Sequence, residues 1–72
     1  MTIKKLGKDI QQRRKELNLE MSDIADYSNI SIPRLSNIEN GKSNPTIKTI
    51  EKILDVLGLE LVVITKDKNA TR

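Results

Sequence analysis

Between Leu19 and Pro45 the chain reads LEMSDIADYSNISIPRLSNIENGKSNP: two short helix-like stretches separated by a tight polar turn and closed by Gly41. Asn29 falls at a left-handed position that glycine more often fills, and Ile30 then turns inward. Ser31 can cap the second stretch. Pro33 fits its first turn, where backbone amides lack an intrahelical acceptor and the ring presets φ. No other feature constrains the fold as much, because a short helix held across another by such a turn projects side chains far enough to enter a DNA groove.

The flanking sequence supplies a body for this unit. Ile3, Leu6, Ile10 and Leu17 recur at helical spacing, and Arg14 fills the gap in that stripe, so Arg14 is on the inward face. A guanidinium there needs a carboxylate to offset its desolvation, and the periodicity predicts a partly buried ion pair with an acid on a later helix, for which Glu39 is the candidate. The opposite face carries much of Lys4, Lys5, Lys8, Gln11, Gln12 and Lys15, either as a solvated surface or as a set of phosphate contacts. A second helix should run from about Met21 to Ser28, burying Ile24 and Ala25. Leu35 and Ile38 continue the buried face on the third, which Gly41 ends. Lys42 to Asn44 makes a loop. Pro45 and Thr46 then open a fourth helix with an apolar stripe of Ile47, Ile50, Ile53, Leu54 and Leu57, stopped by Gly58.

After Gly58 the pattern changes, since residues 59–65 are rich in β-branched side chains and largely apolar on both alternating faces. The segment reads as a strand, the alternative being a prolonged fourth helix. A lone strand cannot satisfy its own backbone groups, and the chain offers no second strand, so the reading implies pairing with another copy in a symmetric dimer. Leu59, Leu61, Val62, Val63 and Ile64 would form that strand.

Composition narrows the possible functions. A chain of 72 residues makes one domain with a small core. The absence of cysteine removes disulfides and thiolate metal sites, and the absence of histidine removes the usual zinc ligand and general base. The sequence therefore predicts a protein that is not an enzyme and needs no cofactor or metal. Its longest apolar run, Leu61 to Ile64, is too short to cross a bilayer, and a cytoplasmic location with no membrane partner is expected. Charge is uneven: residues 1–18 carry six basic and two acidic side chains, residues 19–45 two and four, and the remainder five and four. The central unit is thus not itself basic, although folding can still gather a basic face.

Taken in order, Leu6-Gly7, Arg14, Leu19, Ile24-Ala25, Ile30-Ser31, Leu35-Ser36-Asn37-Ile38-Glu39-Asn40-Gly41-Lys42 and Asn44-Pro45-Thr46 resemble the Cro-and-repressor helix-turn-helix proteins, the XRE family, over roughly residues 6–58. The resemblance implies an all-α fold: a small bundle of about four helices containing a helix-turn-helix, here with the short C-terminal β-strand that pairs across a dimer. Residues 1–58 would be the DNA-binding domain, 59–65 the dimerisation strand and 66–72 a flexible tail. The resemblance also implies the Arg14–Glu39 pair.

Carried over position by position, the family's base-reading sites fall on Ser31, Ile32, Pro33, Arg34, Ser36 and Asn37. Asn37 can pair with adenine and Arg34 with guanine or a phosphate, whereas Ile32 and Pro33 can only meet thymine methyls or shape the approach. Phosphate contacts are implied for Asn40, Lys42, Ser43 and Thr46, with Lys8 added from the first helix. One departure stands out. The family often has Ser-Gln at the start of the second helix, where the glutamine amide holds the DNA backbone, and this chain has Glu20-Met21; a carboxylate there must turn aside to cap the helix.

The tail Leu57-Gly58-Leu59-Glu60-Leu61-Val62-Val63-Ile64 is similar to that of HipB-type antitoxins, whose C-terminal strands pair across the dimer. The combined expectation is a homodimeric repressor on a double-stranded, inverted-repeat operator, with a HipA-like kinase toxin as a second partner. Two alternatives stand beside it: a toxin-neutralising module with weak DNA binding, and a phage-type repressor with no toxin.

Overall fold

The computed structural model describes residues 2–66, which form four helices: α1 (Ile3–Glu16), α2 (Met21–Ser28), α3 (Ile32–Glu39) and α4 (Ile47–Leu57). Each begins on a residue suited to hold exposed amides. The side chains of Thr2, Ser31 and Thr46 accept from the amides of Lys5, Arg34 and Thr49. Before α2 the roles are exchanged, and the Glu20 amide donates to Asp23 Oδ2 at 2.8 Å.

The helix ends follow an equally local logic. Asn29 takes φ 58° after α2, Gly41 φ 71° after α3 and Gly58 φ 67° after α4. These left-handed residues let the amides of Ile30 and Leu59 reach back to the carbonyls of Ala25 and Leu54, and that of Lys42 to Asn37. Asn18, at φ 57°, does the same for α1, so that the Leu19 amide meets the Arg14 carbonyl at 3.0 Å.

One core gathers Ile10, Ile24, Ala25, Leu35, Ile38, Ile50, Ile53, Leu54 and Leu57. It forms where α1 lies against α3 and α4, and α2 against α3 and α4. Gly7 is the closest point between α1 and α3: a Cβ there would collide with the Ile38 carbonyl oxygen and come within 2.7 Å of that of Glu39. Only a glycine lets the two backbones approach this far.

Three expectations need correction. Ile3, Leu17 and Ile47 belong to the apolar stripes by spacing but are exposed, Ile47 to 65 %. They sit at helix ends, where a stripe runs past the body it packs on. Secondly, the start of α2 does not rest on the Glu20 carboxylate alone, since Asp23 at the third helical position accepts from the Glu20 amide. Thirdly, no strand forms over 59–65 among the described residues. A ladder needs a second edge, and the chain has none to offer. Leu59 and Leu61 instead fold back, half-buried, against the core, leaving Val62, Val63 and Ile64 exposed. Of the tail expected over 66–72, only Lys66 is among the described residues.

Candidate nucleic-acid interface

The candidate surface is the outer side of α3. Leu35, Ile38 and Glu39 point into the body, so a turn of about 100° per residue sends Pro33, Asn37 and Asn40 outward, with Ile32 and Ser36 on one flank and Arg34 on the other. Ser31, Ile32, Pro33, Arg34, Asn37 and Asn40 are exposed and Ser36 is half-buried. Within this face the polar groups are only partly committed. Ser31 Oγ accepts from the Arg34 amide at 3.2 Å, and the Asn40 side-chain amide donates to Ser36 Oγ at 3.4 Å. Among the described residues Asn37 has no side-chain hydrogen bond, and its amide can offer a donor and an acceptor side by side.

Behind this face the Arg14 guanidinium clamps Glu39. Nε donates to Oε2 at 2.8 Å and the second terminal nitrogen to Oε1 at 3.1 Å, while the first reaches the Leu19 carbonyl at 3.1 Å. The Glu39 side chain is fully enclosed and that of Arg14 is 11 % exposed. Hydrogen bonding to Glu39 raises the Arg14 pKa against the opposing effect of burial, so the guanidinium keeps its charge. One bidentate pair thereby fixes the C-terminal turn of α3 to both α1 and the turn before α2.

Two basic residues, Lys4 and Lys42, lie at the loop after α3. Lys4 packs against Gly41, where a Cβ would come within 2.8 Å of the Lys4 Cα. Lys8 is one turn further along α1 and exposed, as is Lys42 in the loop itself. Among the described residues Lys4, Lys8, Arg34 and Lys42 take part in no salt bridge, whereas Lys5 is held by Asp9 at 2.7 Å. These cations are free to meet phosphates. Ser43 is half-buried, and the exposed Thr46 donates its hydroxyl proton to Thr49 Oγ1 at 3.1 Å, so it must turn to contact a phosphate. The start of α2 offers less, because Met21 packs against the core and the Asp23 carboxylate is turned to the Glu20 amide.

The helix-turn-helix family model matches residues 10–64, which takes in α2, the turn, α3 and α4. This chain belongs to the XRE helix-turn-helix family. It is 39 % identical over 61 residues to the ImmF control region 10 kDa protein of Bacillus phage phi105, covering 85 % of this chain and 68 % of that one. To the HTH-type transcriptional regulator DdrOP3 of Deinococcus deserti it is 34 % identical over 55 residues, 76 % of this chain and 43 % of the relative. SinR of Bacillus subtilis, also an HTH-type transcriptional regulator, is 33 % identical over 67 residues, 92 % of this chain and 60 % of SinR. The XRE domain thus spans less than two thirds of DdrOP3 and of SinR.

Two contacts in this XRE domain escaped the sequence reading. Arg13 donates from Nε to the Leu57 carbonyl at 2.9 Å, capping the end of α4 from α1. Tyr27 donates to Asp55 Oδ2 at 3.0 Å, tying α2 to α4. Both join residues far apart in the chain, and neither type is unusual for an exposed helix face. Among the described residues no three acids group as a metal site, and no helix is long and apolar enough to cross a membrane.

Proposed function

We propose that this XRE domain is the DNA-reading part of a transcriptional repressor that acts as a homodimer, setting one α3 per subunit into successive major grooves of an inverted repeat. The observation that carries this reading is the divided α3. Its inner side is locked by Leu35, Ile38 and the Arg14–Glu39 pair, and its outer side holds Pro33, Arg34 and Asn37 exposed. In this reading Ser31, Ile32, Pro33, Arg34, Ser36 and Asn37 face base edges, and Lys8, Asn40, Lys42, Ser43 and Thr46 hold phosphates. Residues 1–58 form the DNA-binding domain, and in the segment 59–65 the exposed Val62, Val63 and Ile64 pair against a second copy. Half-site centres then lie about 34 to 36 Å apart, or a multiple of that. The site of action is the cytoplasm, where the operator is.

Gel-shift titration against the chain's own upstream DNA tests this. Affinity should fall steeply with salt as counterions are released, and Asn37→Ala should weaken the cognate site by about 1 to 3 kcal/mol more than random DNA. Equal weakening on both, or no shift at all, would refute the reading.

A second reading draws on the exposed apolar tail. Val62, Val63 and Ile64, with the acidic Glu20 before α2 and Asp23 and Asp26 on it, suit a protein partner as well as a second copy, in keeping with an antitoxin that holds a HipA-like kinase toxin and represses its own operon. Co-expression with the product of an adjacent kinase-sized reading frame decides it, since separate elution of the two proteins excludes the partnership.

A further inference from the structure

The leading end of α3 is apolar. Ile32 occupies the first helical position directly after the Ser31 cap and is 47 % exposed, and the exposed Pro33 follows it. Neither side chain carries a donor or acceptor, and Pro33 lacks an amide hydrogen as well. The two hydroxyls that flank Ile32 on α3 each accept one hydrogen bond, Ser31 Oγ from the Arg34 amide and Ser36 Oγ, one turn on, from the Asn40 side chain. Arg34 projects from the opposite flank. At Ile32 itself, therefore, a base edge meets hydrocarbon.

Of the groups that line a major groove, only the 5-methyl of thymine complements a branched aliphatic side chain. Cytosine at the same place presents a bare C5–H beside its amino group, and a purine presents N7; pressed against isoleucine, the amino group or N7 loses water without gaining a partner. An isoleucine here thus favours the methyl and disfavours its competitors.

We propose that Ile32 is a specificity-determining residue that reads a pyrimidine 5-methyl group, so that each half-site contains one thymine whose methyl packs on this side chain. The inference rests on the reading of α3 as the groove-reading helix. It adds the base identity at one position, which the hydrogen-bonding residues Arg34 and Asn37 do not supply.

The preferred duplex is obtained by selection from a random-sequence library with the full chain. Each thymine is then replaced singly by deoxyuridine, which removes the methyl and nothing else. Wild-type protein should lose about fourfold in affinity at one thymine per half-site, the factor that burial of one methyl-sized group supplies, and about sixteenfold when both are replaced. Ile32→Ser should bind the thymine and deoxyuridine duplexes equally, with an unfolding midpoint close to wild type because the site is exposed. Ile32→Val should keep the difference. A flat deoxyuridine scan overturns the proposal and leaves the repressor reading intact, and so does a methyl effect that survives in Ile32→Ser. Selection that yields no preferred duplex removes both.

Discussion

At the scale of single residues, the Arg14–Glu39 pair carries the most consequence. Two buried charges attract strongly only while both are present, and removing one leaves the other desolvated without compensation. Glu39→Gln should therefore destabilise the domain by about 3 kcal/mol, whereas Arg14→Met combined with Glu39→Leu should lie within about 1 kcal/mol of wild type. Chemical denaturation of the two variants measures this, and a double variant as unstable as the single one would contradict it. Tyr27 gives a second test. Its hydrogen bond to Asp55, and then the charge of that carboxylate, raise the phenol pKa above the ordinary 10.0. A group whose folded pKa is raised stabilises the fold fully below the unfolded value and loses that contribution as pH rises through the folded value. Absorbance titration of this single tyrosine should show ionisation moving to lower pH in Asp55→Asn, and an unmoved curve would exclude the contact.

At the scale of elements, what the helices need differs from what their periodicity displays. Gly7 has no role in the apolar stripe of α1, yet α1 can lie on α3 only because it lacks a Cβ. Gly7→Ala, a change that favours an isolated helix, should here cost about 2 to 4 kcal/mol through forced separation of two backbones. Thermal unfolding would show it, and an unchanged midpoint would mean that α1 does not pack as described. The same contrast explains what was legible. Ser31, Pro33, Asn29 and Gly58 act within their own turn, so the start of α3 and the ends of α2 and α4 can be read from the chain. Arg14 was legible by position, as a charge inside an apolar stripe. Arg13 and Tyr27 were not, because their partners Leu57 and Asp55 lie far along the chain and the pairing exists only once α1, α2 and α4 have assembled. Ile47 misled for the converse reason, since spacing marks a stripe but not where the body beneath it ends. The outer face of α3 came from the family resemblance, for periodicity says only which residues it does not bury.

At the scale of the whole molecule, a small core and an exposed apolar tail belong together. A domain of 72 residues has little stability to spare, and Val62, Val63 and Ile64 lie in water, Val63 completely. Pairing of two tails would bury them and satisfy their backbone groups at once. Val63→Asp should thus leave the fold of each subunit intact, shift the mass in sedimentation towards a single copy, and weaken binding to a two-half-site duplex by well over tenfold. A variant that sediments and binds as wild type would mean that the tail has no part in assembly. The repressor mechanism depends on which surface meets DNA. Amide chemical-shift mapping during titration with the selected duplex reports that surface directly: the largest changes should run over Ser31 to Asn37 and Asn40 to Thr46, with smaller ones at Lys4 and Lys8. Changes centred on the outer faces of α2 and α4, with α3 unmoved, would contradict it.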